Sequence, residues 1–162
     1  MLYNIRLARQ EDGGTVMDLY RSLIGAPGCT WNPYYPTIEI VREDAETQSL
    51  YCMFDESGGL AAAASARANN EFDELGCWNK GGGNLCDLSR LAVRKDLHRQ
   101  GLAEKLVKFV LADVKRRGFD GVRLLAGKEN RAALALYNKL GFKICGEAFA
   151  YGLDWYCCEL RL

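Results

Sequence analysis

The stretch from Leu85 to Phe142 constrains this chain most, because strand and helix patterns alternate there and glycines separate them. Leu85 to Val93 is an apolar run of strand length. Beyond it, Leu102, Leu106, Phe109, Val110 and Val114 recur at helical spacing within Gly101 to Arg117. Arg116 and Arg117 suit the negative end of that helix, and Gly118 stops it. Val122 to Ala126 then reads as a strand and Glu129 to Leu140 as a helix stopped by Gly141.

The rest of the chain fits around this alternation. Asn4 to Ala8 predicts a short strand, and Glu11 to Ile24 a helix with Val16, Leu19, Tyr20, Leu23 and Ile24 on one face. Gly25 to Pro36 is a loop by composition, after which Thr37 caps a short helix through Glu46. Gln48 to Asp55 and Leu60 to Arg67 form a hairpin around Asp55-Glu56-Ser57-Gly58-Gly59. The short alanine run 61–64 is read as strand because that turn is strong. Asn69 to Asn84 is a long irregular segment, a kind often functional. Phe142 to Tyr151 and Leu153 to Leu162 predict two closing strands. The order is β-α-α-β-β-β-α-β-α-β-β, a mixed α/β fold in a single domain over 1–162.

Composition narrows the function. The 162 residues suffice for one domain with a proper core. Lys+Arg and Asp+Glu balance at 21 each, which argues against a general nucleic-acid binder. The opening MLYNIRLARQEDGG lacks the apolar centre of a signal peptide, and no window approaches roughly 18 uncharged apolar residues. The expectation is a cytoplasmic protein without membrane or nucleic-acid partners. Seven cysteines, with no C-x-x-C pair, predict free buried thiols in a reducing compartment. A single histidine, His98, argues against a multi-histidine metal site, and no metal is expected.

Two segments carry chemistry. The first is His98-Arg99-Gln100-Gly101-Leu102-Ala103, where a strand turns into a helix with no Ser, Thr or Asp to cap it. A helix N-terminus exposes unpaired N–H groups and positive dipole, and small residues let a phosphate approach. Arg99 and His98 can add charge. An ordinary turn enabled by Gly101 accounts for the same residues. The chain contains no P-loop motif. The second segment runs from Asn130 to Phe142. Asn130, Ala133, Leu134 and Tyr137 share one helix face, since seven residues make nearly two turns. A cap at Asn130 and a core aromatic at Tyr137 would also explain them.

In this order and spacing the two segments resemble the GNAT superfamily of acyl-CoA-dependent N-acyltransferases. The first matches the family's Gln/Arg-x-x-Gly-x-Gly/Ala loop. The second matches an Asn opening the next helix, then A-x-x-L-Y, then G-F: Asn130, Ala133, Leu136-Tyr137 and Gly141-Phe142. His98 stands where the family usually has Gln or Arg. The resemblance implies a mostly antiparallel mixed sheet of about six to seven strands, flanked by four helices. Its parallel fourth and fifth strands splay apart.

It also implies that acetyl-CoA lies in the gap. Its pantetheine would pair with Leu91, Ala92 and Val93, and its pyrophosphate would rest on the N–H groups of Arg99, Gln100, Gly101, Leu102, Ala103 and Glu104. Asn130 and Ala133 would flank the pantetheine, and Tyr137 would point at the thioester sulfur as general acid. Alternation along the fourth strand puts Asp87, Ser89, Leu91 and Val93 on one face, which makes Asp87 a candidate base acting through water. Glu71, Asp73 and Glu74 are rival carboxylates. Trp31, Tyr34, Tyr35 and Trp78, with Glu74 and Trp155, are candidate walls of an amine-acceptor site. The resemblance also makes a homodimer a candidate assembly. The activity implied is acetyl transfer to a primary amine of a small molecule or peptide. The competing readings are a non-catalytic acyl-CoA-binding module and a purely structural domain.

Overall fold

The computed structural model describes residues 1–68, 72–78 and 83–162. Its strands are β1 (Asn4–Leu7), β2 (Leu50–Phe54), β3 (Leu60–Arg67), β4 (Leu85–Val93), β5 (Gly121–Gly127), β6 (Lys143–Ala150) and β7 (Leu153–Arg161). Its helices are α1 (Gly13–Ser22), α2 (Ile38–Glu46), α3 (Leu102–Arg116) and α4 (Arg131–Lys139). Each expected element is present. The Thr37 hydroxyl accepts from the Ile40 N–H at 3.2 Å, as an N-cap should.

The strands form one sheet in the order β1-β2-β3-β4-β5-β7-β6. Every pair is antiparallel except β4 with β5. The α3 crossover between those two strands requires this, because parallel neighbours need a long connection. Two apolar cores result. One lies against α3 and includes Leu106, Val107, Val110, Val122, Leu124 and Tyr137. The other lies against α1 and α2 and includes Val16, Tyr20, Val41 and Leu50. Ala61 to Ala64 are fully buried in β3, so the alanine run is a strand enclosed by both layers.

Two features of β4 shape the site. Its pairing with β5 covers only Leu85↔Gly121, Cys86↔Val122 and Asp87↔Arg123, although both strands continue. Beyond Asp87 the two strands are not paired. Its pairing with β3 contains a bulge: the register runs from Ala63↔Ala92 to Ser65↔Ser89, so Arg90 and Leu91 stand against Ala64. Arg90 adopts φ +52° there.

The bulge overturns the shared-face expectation for β4. Cys86 and Leu88 lie in the α3 core, and Leu91 and Val93 pack against the same core, while Ala92 joins the other. Asp87, which alternates with Cys86 and Leu88, therefore faces the α1/α2 side, opposite to Leu91. An extra residue in a strand reverses the face of everything after it.

The free-thiol expectation also needs correction. Cys77 and Cys157 form a disulfide across 80 residues of sequence, while Cys29, Cys52, Cys86, Cys145 and Cys158 are free. Cys158 lies in the α3 core, so its neighbour Cys157 faces the other side of the sheet. The disulfide thus ties the segment before β4 to β7. No local spacing could reveal it, since only the sheet brings the two residues together.

Candidate active site at the β4/β5 gap

The loop after β4 is held by its own side chains. A short turn at Lys95–Leu97 buries Leu97, and the His98 ring nitrogen Nε2 lies 2.7 Å from the Val93 carbonyl. The imidazole therefore braces the loop against the end of β4. Arg99 (φ +63°) and Gly101 (φ +77°) both take left-handed backbone. Gly101 occupies the N-cap position of α3, with no side-chain cap. The first helical bond runs from the Lys105 N–H to the Gly101 carbonyl at 3.1 Å, so the amides of Leu102, Ala103 and Glu104 precede the ladder. A side chain at Gly101 would meet no atom within 4 Å, so the space before these amides is open. This cradle of unpaired N–H groups at the positive end of a 15-residue helix suits a phosphate.

Opposite it, Asn130 caps α4. Its Oδ1 accepts from the Ala133 N–H at 3.1 Å, and its Nδ2 donates to the Gly28 carbonyl at 3.3 Å. Asn130 thereby joins α4 to the Gly25–Pro36 loop. Tyr137 is buried, with its ring 5.5 Å from Phe142 in an edge-on arrangement. Burial raises its pKa above that of an ordinary phenol, with the nearby Cys158 a lesser cause. No hydrogen bond joins its hydroxyl to the described residues. Leu91, Val93, Leu102, Ala126, Ala133 and Tyr137 belong to one continuous apolar cluster, which unites the gap, the start of α3 and the face of α4.

On the other face of the sheet a polar group lies where β4 and β5 are last paired. The Arg123 Nε donates to Asp87 Oδ1 at 3.0 Å and its Nη1 to Asp73 Oδ1 at 2.7 Å. The guanidinium lies 5.1 Å from the Trp78 ring centre, and the Trp78 Nε1 donates to the Phe72 carbonyl at 2.7 Å. Trp78 thus covers the Asp87–Arg123–Asp73 group. Asp87 is engaged by Arg123 rather than presented as an isolated carboxylate.

The remaining acceptor candidates are dispersed. Trp31 packs on Tyr20, 5.0 Å between ring centres. Tyr34 and Glu74 are exposed. The Tyr35 hydroxyl accepts from the Arg90 Nη1 at 3.0 Å. The Trp155 Nε1 donates to the Ala150 carbonyl at 2.8 Å, which secures the β6–β7 turn. Glu71 lies outside the described residues.

Sequence reasoning missed Asp44, Ser65, Arg90 and Arg123, which all form buried polar contacts beside β4. For Ser65, Arg90 and Arg123 the one local signal is a charged or polar residue inside an otherwise apolar strand, while Asp44, on the polar-rich α2, carries none.

Residues 16–142 match the model of the acetyltransferase (GNAT) family. N-acetyltransferase 8 of Rattus norvegicus is 37% identical over 68 residues, 42% of this chain and 31% of that protein. The [ribosomal protein bS18]-alanine N-acetyltransferase of Escherichia coli K12 is 38% identical over 55 residues, 34% of this chain and 37% of the relative. The matched segments span about a third of those relatives' lengths.

Similar solved structures extend the likeness in fold to nearly the whole chain. A GNAT-family acetyltransferase from Streptococcus agalactiae superposes with a TM-score of 0.83 at 20% identity, over 99% of this chain and 95% of the other. The crystal structure of the E. coli S18-alanine enzyme gives 0.76 at 18%, over 99% and 94%. A phosphinothricin acetyltransferase from Sinorhizobium meliloti, in complex with acetyl-CoA, gives 0.77 at 19%, over 100% and 89%.

Proposed function

Because the chain belongs to the acetyltransferase (GNAT) family, we propose that it transfers an acetyl group from acetyl-CoA to a primary amine of a small molecule or a peptide. The observation that carries this reading is the open, uncapped N-terminus of α3 beside a gap between two parallel strands, with the Tyr137 hydroxyl, which has no partner among the described residues, in the adjoining cluster. The α3 amides of Leu102 to Glu104, with Gly101 and the Arg99 and Gln100 backbone, would hold the pyrophosphate. Leu91 to Val93 would pair with the pantetheine. His98 braces this cradle through Val93. Acetyl-CoA supplies the activated acetyl group.

Three tasks fall to the protein. An amine of pKa about 10 is roughly 0.1% neutral at pH 7, a cost of about 4 kcal/mol. Its proton leaves on the face that carries Asp87, which acts through water while Arg123 holds it in place. The carbonyl oxygen gains negative charge as the amine attacks, and the Leu91 amide donates to it. The Arg94 N–H donates to the Ala61 carbonyl at 2.9 Å, so by alternation the Leu91 and Val93 amides turn away from β3 toward the gap. Tyr137, kept protonated by burial, donates its proton to the departing thiolate. Edge strand β6 leaves Ile144 and Phe149 exposed, and in this reading it pairs with a second copy.

The test is a thermal-shift titration with CoA and acetyl-CoA, followed by an amine screen read by free-thiol release. At about 100 Kd of ligand the stabilisation should be about 2.7 kcal/mol, or roughly 5–11 °C for a chain of this size. Stabilisation without transfer across the amine panel would favour the non-catalytic binding module. No stabilisation would remove the coenzyme reading altogether.

Gly101 provides a sharper check. Gly101→Val puts a β-branched residue at φ +77°, where L-residues are strained by roughly 1–3 kcal/mol. The side chain has room, so the fault would lie in the backbone of the cradle. CoA affinity should fall at least tenfold, read as a loss of the CoA-induced shift. An unaltered shift would mean that Gly101 does not shape the binding site.

A further inference from the structure

We propose that Asp44, far from the coenzyme cradle in sequence and placed on α2, is a positioning residue for acetyl transfer: through Arg90 it sets the bulge in β4 that aims the Leu91 amide. The inference rests on the reading that this amide meets the charge developing on the carbonyl oxygen.

The bulge is held from outside the strand. Arg90 donates to Asp44 Oδ2 from Nε at 3.2 Å and from Nη2 at 2.7 Å, and its Nη1 reaches the Tyr35 hydroxyl. Asp44 is 1% exposed. It also accepts from the Ser65 hydroxyl at 2.7 Å and pairs with the Arg67 Nε at 3.4 Å. Ser65 and Arg67 belong to β3, the strand that faces the bulge. One buried carboxylate therefore grips the bulged residue and its partner strand together.

This arrangement is costly as pure scaffolding. A buried ion pair contributes little more than an apolar pair of the same volume, and Arg90 at φ +52° adds backbone strain. What the arrangement does accomplish is local. It maintains one extra residue in β4 just beyond the last residue paired with β5. If that residue slipped into regular register, Leu91 and Val93 would exchange faces, and their amides would turn from the gap toward β3. A bulge beside a site commonly re-aims backbone groups in this way. Misplacement by about 1 Å costs on the order of 10²-fold in rate.

The experiment uses the full chain. Asp44→Asn should lower kcat about 10–100-fold, and, because the Leu91 and Val93 amides also pair with the pantetheine, the CoA-induced melting shift should shrink with it. Arg90→Lys, which keeps the charge and loses the fork, should do the same and serves if Asp44→Asn folds poorly. The double variant Asp44→Asn/Arg90→Gly should recover at least about tenfold in kcat over Asp44→Asn, because glycine adopts the bulge conformation without strain. A merely structural pair would lower the melting temperature and leave kcat unchanged, which would overturn the proposal. So would a double variant no faster than Asp44→Asn, because the pair would then act through charge and not through the backbone. Failure of the parent protein to respond to CoA is a separate result and counts against the coenzyme reading itself.

Discussion

Tyr137→Phe is expected to lower turnover by about 10²–10⁴-fold with little change in CoA affinity. Phenylalanine fills the same buried space and keeps the edge-on contact with Phe142, so packing is preserved. The substitution removes one hydroxyl, which makes no hydrogen bond to the described residues and so supports no neighbouring group. Burial holds that hydroxyl protonated, since the low-dielectric surroundings disfavour the phenolate. The proton is therefore available throughout the ordinary assay range. It follows that kcat should show no alkaline loss attributable to Tyr137 below pH of about 10. The measurement is steady-state kinetics by free-thiol release, with CoA binding followed in parallel. Unchanged turnover would remove Tyr137 from the mechanism and leave the fold assignment standing.

Arg123→Ala is expected to destabilise the protein by about 3–5 kcal/mol. Arg123 and Asp87 are both buried, joined at 3.0 Å on adjacent parallel strands, where β4 and β5 are last paired. Removing the guanidinium takes the countercharge from Asp87 and also the contacts that hold Asp73 and Trp78. Replacing both partners with apolar residues is a different experiment. Arg123→Met with Asp87→Leu should recover most of the loss, because no lone charge is left buried. Chemical denaturation of the two variants would distinguish these outcomes. Equal destabilisation in both would place the cost in lost packing instead of electrostatics. The same double variant reports on Asp87: if turnover persists in it, water alone serves the acceptor's proton.

Much of this protein was legible before any coordinates. The helical spacing of Leu102, Leu106, Val110 and Val114 is a property of one segment, and that face is buried in the structure, whereas Phe109, expected on the same face, is exposed. Gly101 and Asn130 were legible because a loop or cap depends on its immediate neighbours. The disulfide was not. Cys77 and Cys157 carry no local mark, and the free-thiol expectation failed because proximity across 80 residues arises from the sheet. The face of Asp87 was misread for a related reason. Strict alternation is the right expectation for a regular strand, and nothing within Leu88-Ser89-Arg90-Leu91 announces a bulge.

The sequence by itself determined the order of elements, the helix ends and the two motif segments, since each depends on interactions a few residues apart. Tertiary structure alone decided where β4 leaves β5, which face Asp87 occupies, and which charges meet at Arg90 and Arg123. Those outcomes depend on groups 20 to 80 residues apart whose pairing is worth something only once water has been excluded around them.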